Sequence, residues 1–189
     1  MSGKSVTAKK LAVLGVLTAL SLITFLIENL FPPLIIPGAK LGLANAFSLI
    51  ALVLYTPWEA FLVVGARTLL GAIFAGNLSA VLYSFTGGVI SMAVSSVLLY
   101  CAHPKISVIC ISVIAAACHN FTQNVVFVAL SSTPLAFSYA PYLILLGVLS
   151  GAFIGATVVL IIKRVPTPVF CRALGVKNTN KVTSKEENY

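Results

Sequence analysis

Polar side chains that can form hydrogen bonds interrupt a long apolar stretch in the second half of the chain. The segment 118–124 reads C-H-N-F-T-Q-N and lies inside the apolar run 106–130. His119 and Gln123 are four residues apart, as are Asn120 and Asn124, so a helix carries each pair on one face. A hydrocarbon core supplies no water, and each imidazole or amide there needs a partner from protein, ligand or trapped water. The segment predicts a ligand cavity, with helix packing by His119 as the alternative.

Three charged residues extend this candidate site to other parts of the chain. Arg67 falls near the middle of an apolar run, where an arginine costs about 3 kcal/mol on insertion scales and should face the protein interior. Glu28 and Lys40 flank the first loop, and Asn45 follows about one helical turn after Lys40. The two cations favour a ligand with an anionic or carbonyl-rich part. Two simpler roles stay open: Glu28 as an ion-pair partner of Lys40 or Arg67, and Asn45, like Asn120, as a tie between helices.

Composition identifies the broad class of protein. The 189 residues are 59% hydrophobic and only 8% charged, whereas soluble domains carry roughly 25% charged residues. The apolar runs are continuous and lack the two-residue alternation of a transmembrane barrel. We therefore predict an all-α integral membrane protein with one bundle of six transmembrane helices.

Polar or proline-containing turns separate the six apolar runs. We predict helices over residues 11–31, 41–56, 59–76, 78–100, 106–130 and 142–162. The second run is short and carries Asn45, which favours a tilted or partly broken helix. The expected organisation is a cytoplasmic leader over 1–10, a six-helix membrane domain over 11–163 and a basic cytoplasmic tail over 164–189.

Basic residues gather at the two ends of the chain. Of the twelve Lys and Arg residues, Lys40 lies in an outer loop and Arg67 in the membrane, which leaves ten on the cytoplasmic side if both termini are cytoplasmic. This bias predicts a multi-pass protein of the plasma membrane with that orientation, and it accounts for the net charge of +8 without a nucleic-acid partner. The four cysteines form no C-x-x-C pair, and we expect neither a metal site nor a cofactor.

Small residues at helical spacing predict close helix contacts. Gly15 and Ala19 form such a step on the first helix, either for packing within the bundle or for docking of a separate membrane subunit. Gly147, Gly151 and Gly155 form a longer ladder on the last helix.

The polar residues that are costly to bury in lipid fall at the membrane midplane or in its outer half. This distribution predicts a pocket that opens outward and is closed towards the cytoplasm.

Four motifs carry a resemblance to a known family. They are P-G-A-K-L-G-L-A-N at 37–45, R-x-x-x-G at 67–71, S-F-T-G-G-x-x-S at 84–91 and H-N-x-x-Q at 119–123. Together they resemble the Gx transporter family, also described as heptaprenyl diphosphate synthase component I, over most of residues 10–163. That family is similar to the substrate-binding S components of energy-coupling factor (ECF) vitamin transporters. The resemblance implies a six-helix domain, a pocket near the outer face and a docking surface at Gly15 and Ala19.

Two functions follow from this resemblance, and a purely structural scaffold is a third hypothesis. The first is an S-component-like subunit that binds a small molecule for uptake. It would need a coupling subunit and ATPases as separate partners, since the chain has no nucleotide-binding motif. The alternative is an accessory membrane subunit of heptaprenyl diphosphate or quinone biosynthesis. The sequence contains no aspartate, whereas prenyl-chain elongation uses aspartate-rich motifs and Mg²⁺ favours carboxylates. We therefore expect no enzymatic activity from the chain alone.

Overall fold

Six α-helices make up most of the part of the chain that the structure describes. This computed structural model describes residues 8–30, 42–75, 78–103 and 105–164. The helices are α1 Ala8–Leu30, α2 Asn45–Leu54, α3 Pro57–Ala75, α4 Leu78–Cys101, α5 Val108–Ser131 and α6 Ala140–Arg164. A 3₁₀ turn over Pro134–Tyr139 leads into α6, in the segment that separates the predicted helices 106–130 and 142–162. Most of the predicted leader and tail lies outside the described residues.

Five of these helices are long and apolar enough to cross a membrane. The chain is therefore a multi-pass membrane protein, and the predicted six-helix bundle is confirmed. The exception in length is α2, whose ten residues rise only about 15 Å, half of a hydrocarbon core of about 30 Å. It begins later than predicted because Gly42 has a φ of +71°, a left-handed conformation that ends regular structure there and that glycine adopts without strain. Pro57 then starts α3 at a position where its missing N–H is not needed.

The short helix α2 occupies the centre of the bundle. It contacts α1, α3, α4 and α6, and six of its ten side chains are buried, from Ser48 to Leu52 and at Leu54. All of these side chains except Ser48 are apolar, and they form one core cluster with Val63 and Val64 of α3 and Val158 of α6. Since α2 has neighbours on all sides, its ends and any polar group it carries face protein rather than lipid.

The closest helix pair is α5 with α6. A Cβ atom added at Gly147 would lie 2.8 Å from the backbone oxygen of Ala116, and one at Gly151 would lie 2.7 Å from Cα of Val113. At Gly155 the corresponding distance to Cα of Ile109 is 2.7 Å. Only glycine permits this backbone approach, so the predicted ladder of small residues is confirmed as the α5–α6 contact.

Helix α1 is attached to α2 and α3 at both of its ends. At one end Lys10 forms an ion pair with Glu59 and lies 5.3 Å from the centre of the Tyr55 ring. Burial, with a smaller contribution from Glu59, raises the pKa of Tyr55 to about 12, so this phenol stays neutral beneath the cation. Towards the other end, Phe25 packs on Gly71 of α3. We refer below to the Lys10 end and the Glu28 end of the bundle.

Candidate functional site

The first residues of α2 lie inside the bundle, at about the middle of α1. The Ser21 hydroxyl, near the centre of α1, donates a hydrogen bond to the backbone oxygen of Ala44 across 2.8 Å. One residue earlier, the Leu43 N–H donates to Oε1 of Glu28 across 2.7 Å. Ala44, the N-cap residue of α2, provides no side-chain cap. Non-helical backbone at this depth is tolerated only when protein or a water-filled cavity surrounds it, and Gly42 and Ala44 are both buried.

A buried arginine bonds to the first residue of this helix. Nη2 of Arg67 donates a hydrogen bond to Oδ1 of Asn45 across 3.1 Å, although Arg67 itself is only 2% exposed. Its Nε atom has no hydrogen-bond partner among the described residues. The Glu28 carboxylate interacts favourably with the Arg67 guanidinium through electrostatics, in line with the suggested role of Glu28 as its partner. The tie between helices that the sequence suggested for Asn45 is also present.

Glycines on α4 bring the α5 residues close to this arginine. A Cβ atom at Gly87 would lie 2.9 Å from Cγ of Gln123 and 3.1 Å from Nδ1 of His119. The same addition at Gly88 would lie 3.4 Å from Nη2 of Arg67. A Cβ at Gly42 would lie 3.3 Å from Nδ2 of Asn45 and 4.0 Å from Cδ2 of His119. Asn45, Arg67, His119 and Gln123 thus come from three helices to one place, which we call the polar cluster.

Asn120 and Asn124, on the neighbouring face of α5, are not part of the polar cluster. Nδ2 of Asn120 donates a hydrogen bond to the backbone oxygen of Leu143 on α6 across 2.9 Å, as expected for a residue that ties helices together. Asn124 is only 4% exposed, and neither atom of its amide has a hydrogen-bond partner among the described residues. Lys40, also predicted for the site, lies outside the described residues.

The small step on α1 faces outward from the bundle. Gly15 and Ala19 are both exposed, and no heavy atom of the described residues lies within 4 Å of a Cβ placed on Gly15. The exposed side chains of Val16, Leu20 and Ile23 surround them. Among the described helices, none packs on this strip, so it does not serve packing within the bundle.

The chain matches a known family over residues 17–161, the family described as heptaprenyl diphosphate synthase component I. The matched region covers more than three quarters of the 189 residues. The chain belongs to this family. The family resemblance drawn from the sequence motifs is therefore confirmed. No curated protein and no solved structure matches the chain significantly.

The region that defines the heptaprenyl diphosphate synthase component I family contains the whole polar cluster. It also contains Glu28 and both asparagines of α5, whereas Gly15 lies just before its start at residue 17. Among the described residues no three His, Cys, Asp or Glu side chains come together. The cluster of this family member offers a guanidinium, an imidazole and two amides. Such groups bind polar or anionic ligands by charge and hydrogen bonds.

The structure gives two groups of residues at the site a role that the sequence did not assign to them. One is Gly42, whose left-handed backbone lets the chain turn into α2 at mid-depth; its place three residues before Asn45 was the available signal. The other is a set of buried serines, Ser91 and Ser95 on α4 and Ser112 on α5, which lie between the polar cluster and the Lys10 end. Ser91 is part of the motif at 84–91, but serine is a common helix-packing residue in membranes, so its type alone does not indicate a cavity.

Proposed function

We propose that the chain is the substrate-binding subunit of a membrane transporter and captures a small molecule for uptake. The observation that carries this proposal is the polar cluster, which gathers Arg67 and three further hydrogen-bonding side chains at the start of a half-length helix. The N-terminus of a helix carries a partial positive charge. Half-helices that begin within the membrane use this charge to bind anionic groups of a substrate in some transporters.

Charge and burial favour a ligand with an anionic part. A buried arginine in a membrane costs several kcal/mol unless it is paired, and the described residues give Arg67 one hydrogen bond, from Nη2. The guanidinium has five N–H groups, so it retains donors for a carboxylate or phosphate. His119 and Gln123 of the polar cluster supply further hydrogen-bonding groups.

The exposed strip on α1 supports a docking role in the same transporter. Gly15 and Ala19 offer a flat surface on which another helix could pack closely. We propose that an ECF-type coupling subunit binds there and that separate ATPases drive the cycle, since this sequence contains no nucleotide-binding motif. Both termini are then cytoplasmic, in line with the positions of the basic residues, and the ligand enters from the outer face of the plasma membrane.

Native mass spectrometry of the detergent-purified chain is the decisive test. The wild-type protein should retain a small molecule that Arg67→Ala and His119→Ala each lose. The control is Leu69→Ala, which removes an exposed side chain of α3 near Arg67 and should leave the bound molecule in place. If both site variants retained the molecule as well as the wild type, the proposed pocket would be wrong. Uptake by the purified chain alone in liposomes would instead indicate a secondary carrier.

The family description favours a second candidate, an accessory membrane subunit of heptaprenyl diphosphate or quinone biosynthesis. In this role the chain would present a lipid substrate to a separate synthase rather than catalyse elongation itself, since its sequence has no aspartate. The two candidates differ in what deletion changes. Loss of a synthase accessory alters the lengths of prenyl products and spares uptake of water-soluble compounds, whereas loss of a transporter subunit does the reverse.

A further inference from the structure

A second polar feature lies next to the polar cluster, towards the Lys10 end of the bundle. It is a cavity between α2, α4, α5 and α6, and the space that the centre of a water molecule can occupy there is about 20 Å³. Asn45 lines it and thereby joins it to the polar cluster. The remaining lining residues are three serines and five apolar side chains: Ser91, Ser95, Ser112, Leu49, Met92, Ala115, Ala116 and Ile154.

The three serine hydroxyls of this cavity do not make the backbone hydrogen bond that several other hydroxyls of the bundle make. Ser91, Ser95 and Ser112 are 5%, 3% and 4% exposed, and within the described ranges none of them has a hydrogen-bond partner. Serine and threonine side chains in helices commonly bond to the carbonyl four residues earlier. Ser96, directly after Ser95, does so by donating to the Met92 backbone oxygen across 2.7 Å. The cavity serines thus lack the bond that Ser96 makes, and they line the open space of the cavity instead.

Three unpartnered hydroxyls around one small space require an occupant. An unsatisfied buried polar group costs about 1–3 kcal/mol, and a buried water typically makes about three hydrogen bonds. The space exceeds the 10–15 Å³ that roughly one water needs. A charged occupant does not fit, because no lining residue carries a charge and desolvation of an ion is expensive without a counter-charge.

We propose that this cavity is a binding site for a neutral, water-sized molecule, occupied by ordered water that bridges Ser91, Ser95 and Ser112. The water links α4 to α5 on the side of the polar cluster that faces the Lys10 end, and it hydrates Asn45. The site is separate from the proposed transport function, because its occupancy needs no substrate. It also continues the polar path of the bundle by about two helical turns towards the Lys10 end.

Xenon under pressure tests the site, because xenon enters dry apolar cavities and not hydrated polar ones. Crystals of the full-length wild-type chain should show ordered water within about 3 Å of the serine hydroxyls and no anomalous xenon peak in the cavity. The triple variant Ser91→Ala/Ser95→Ala/Ser112→Ala should lose the water and gain a xenon peak. Ser96→Ala, the matched control, should keep the water and exclude xenon.

Each contrary result overturns the proposal. A dry wild-type cavity, or one that takes xenon, shows that the hydroxyls hold no water. Water that persists in the triple variant shows that the serines do not hold it. If the triple variant fails to fold, the wild-type crystals decide by themselves. None of these results depends on an identified substrate, so the transporter proposal can fail while the water site stands, or the reverse.

Discussion

Arg67 on α3 donates a hydrogen bond to Asn45, the first residue of α2, across 3.1 Å. This contact joins a spanning helix to the free end of a helix that crosses only half of the bundle. It has two consequences. It neutralises part of the penalty for a buried guanidinium, and it fixes the end of α2 beside His119 and Gln123. Its structural role and its proposed role in ligand binding can be measured separately.

The Arg67–Asn45 contact should appear as energetic coupling in a double-mutant cycle of Arg67→Met and Asn45→Leu. Either single change leaves a buried partner unsatisfied, whereas the double variant leaves neither. We expect a coupling of about 1.5–3 kcal/mol, the range for hydrogen bonds to charged groups, measured by chemical unfolding in detergent. The cycle of Asn45→Leu with Leu69→Ala, which joins no shared contact, should be additive within about 0.5 kcal/mol. Equal coupling in the two cycles would rule out the specific contact.

Gly151→Ala should destabilise the protein, whereas the same change at Gly15 should not. A Cβ at Gly151 meets the α5 backbone at 2.7 Å, so the helices must separate, at a cost of about 1–3 kcal/mol in the free energy of unfolding. At Gly15 the added atom meets nothing within 4 Å among the described residues. Alanine favours a helix over glycine by about 1 kcal/mol. Thermal unfolding of both variants checks the prediction, and a similar loss in both would contradict it.

Gly87→Ala should impair the site more than the fold. The added Cβ would lie 2.9 Å from Cγ of Gln123 and 3.1 Å from the His119 ring, and both are side chains that can shift. We therefore expect a smaller loss of stability than for Gly151→Ala, together with loss of the small molecule retained in native mass spectra. Gly65→Ala on α3, where nothing of the described chain lies within 4 Å, is the control. Unchanged retention in Gly87→Ala would exclude close ligand contact with His119 and Gln123.

Asn120→Leu should destabilise the protein, whereas Asn124→Leu should not. The first removes the Asn120 amide that donates to the Leu143 carbonyl on α6 and should lower the free energy of unfolding by about 1–3 kcal/mol. The second removes two buried amide atoms without a partner among the described residues, so stability should be equal or higher. If Asn124 binds ligand, its variant will also lose the retained molecule. Equal destabilisation by both changes would show that the Asn124 amide is satisfied in the folded protein.

Bulky substitutions on the α1 strip should block partner binding and leave the isolated chain folded. We expect the Gly15→Leu/Ala19→Leu variant to reduce co-purification of other membrane subunits to background, because the added side chains prevent close approach of a second helix. Its thermal stability in detergent should match the wild type, since the strip is exposed. Ala66→Leu, at another exposed small residue on α3, should not affect co-purification. Recovery of the same subunits with both variants would rule out docking on this strip.

The sequence predicted those parts of the fold that depend on local pattern. Continuous apolar runs gave the helices, and the four-residue spacing placed His119 with Gln123 and Asn120 with Asn124. Both pairings are present, and the first pair meets α4 while Asn120 meets α6. Glycine spacing likewise predicted a close helix contact for α6, and the structure shows that its partner is α5.

What the sequence did not predict depends on contacts between distant segments. Nothing in the run 41–56 specifies that its helix starts beside Ser21, because that position is set by the hydrogen bond from Ser21 to Ala44. Ser95 and Ser96 are also indistinguishable by residue type. Only their places on α4 decide that Ser96 bonds to its own helix while Ser95 lines the cavity.

The ten-residue length of α2 bears on how the protein is made. A translocon releases a segment into lipid when its transfer free energy is favourable along a sufficient length, and a helix of about 15 Å leaves the ends of its backbone unsolvated in the bilayer. α2 therefore needs α1 and α3 beside it when it leaves the translocon and enters the lipid. Biogenesis should require these three segments to insert as one unit, so that truncation after Leu54 yields a chain that the cell degrades.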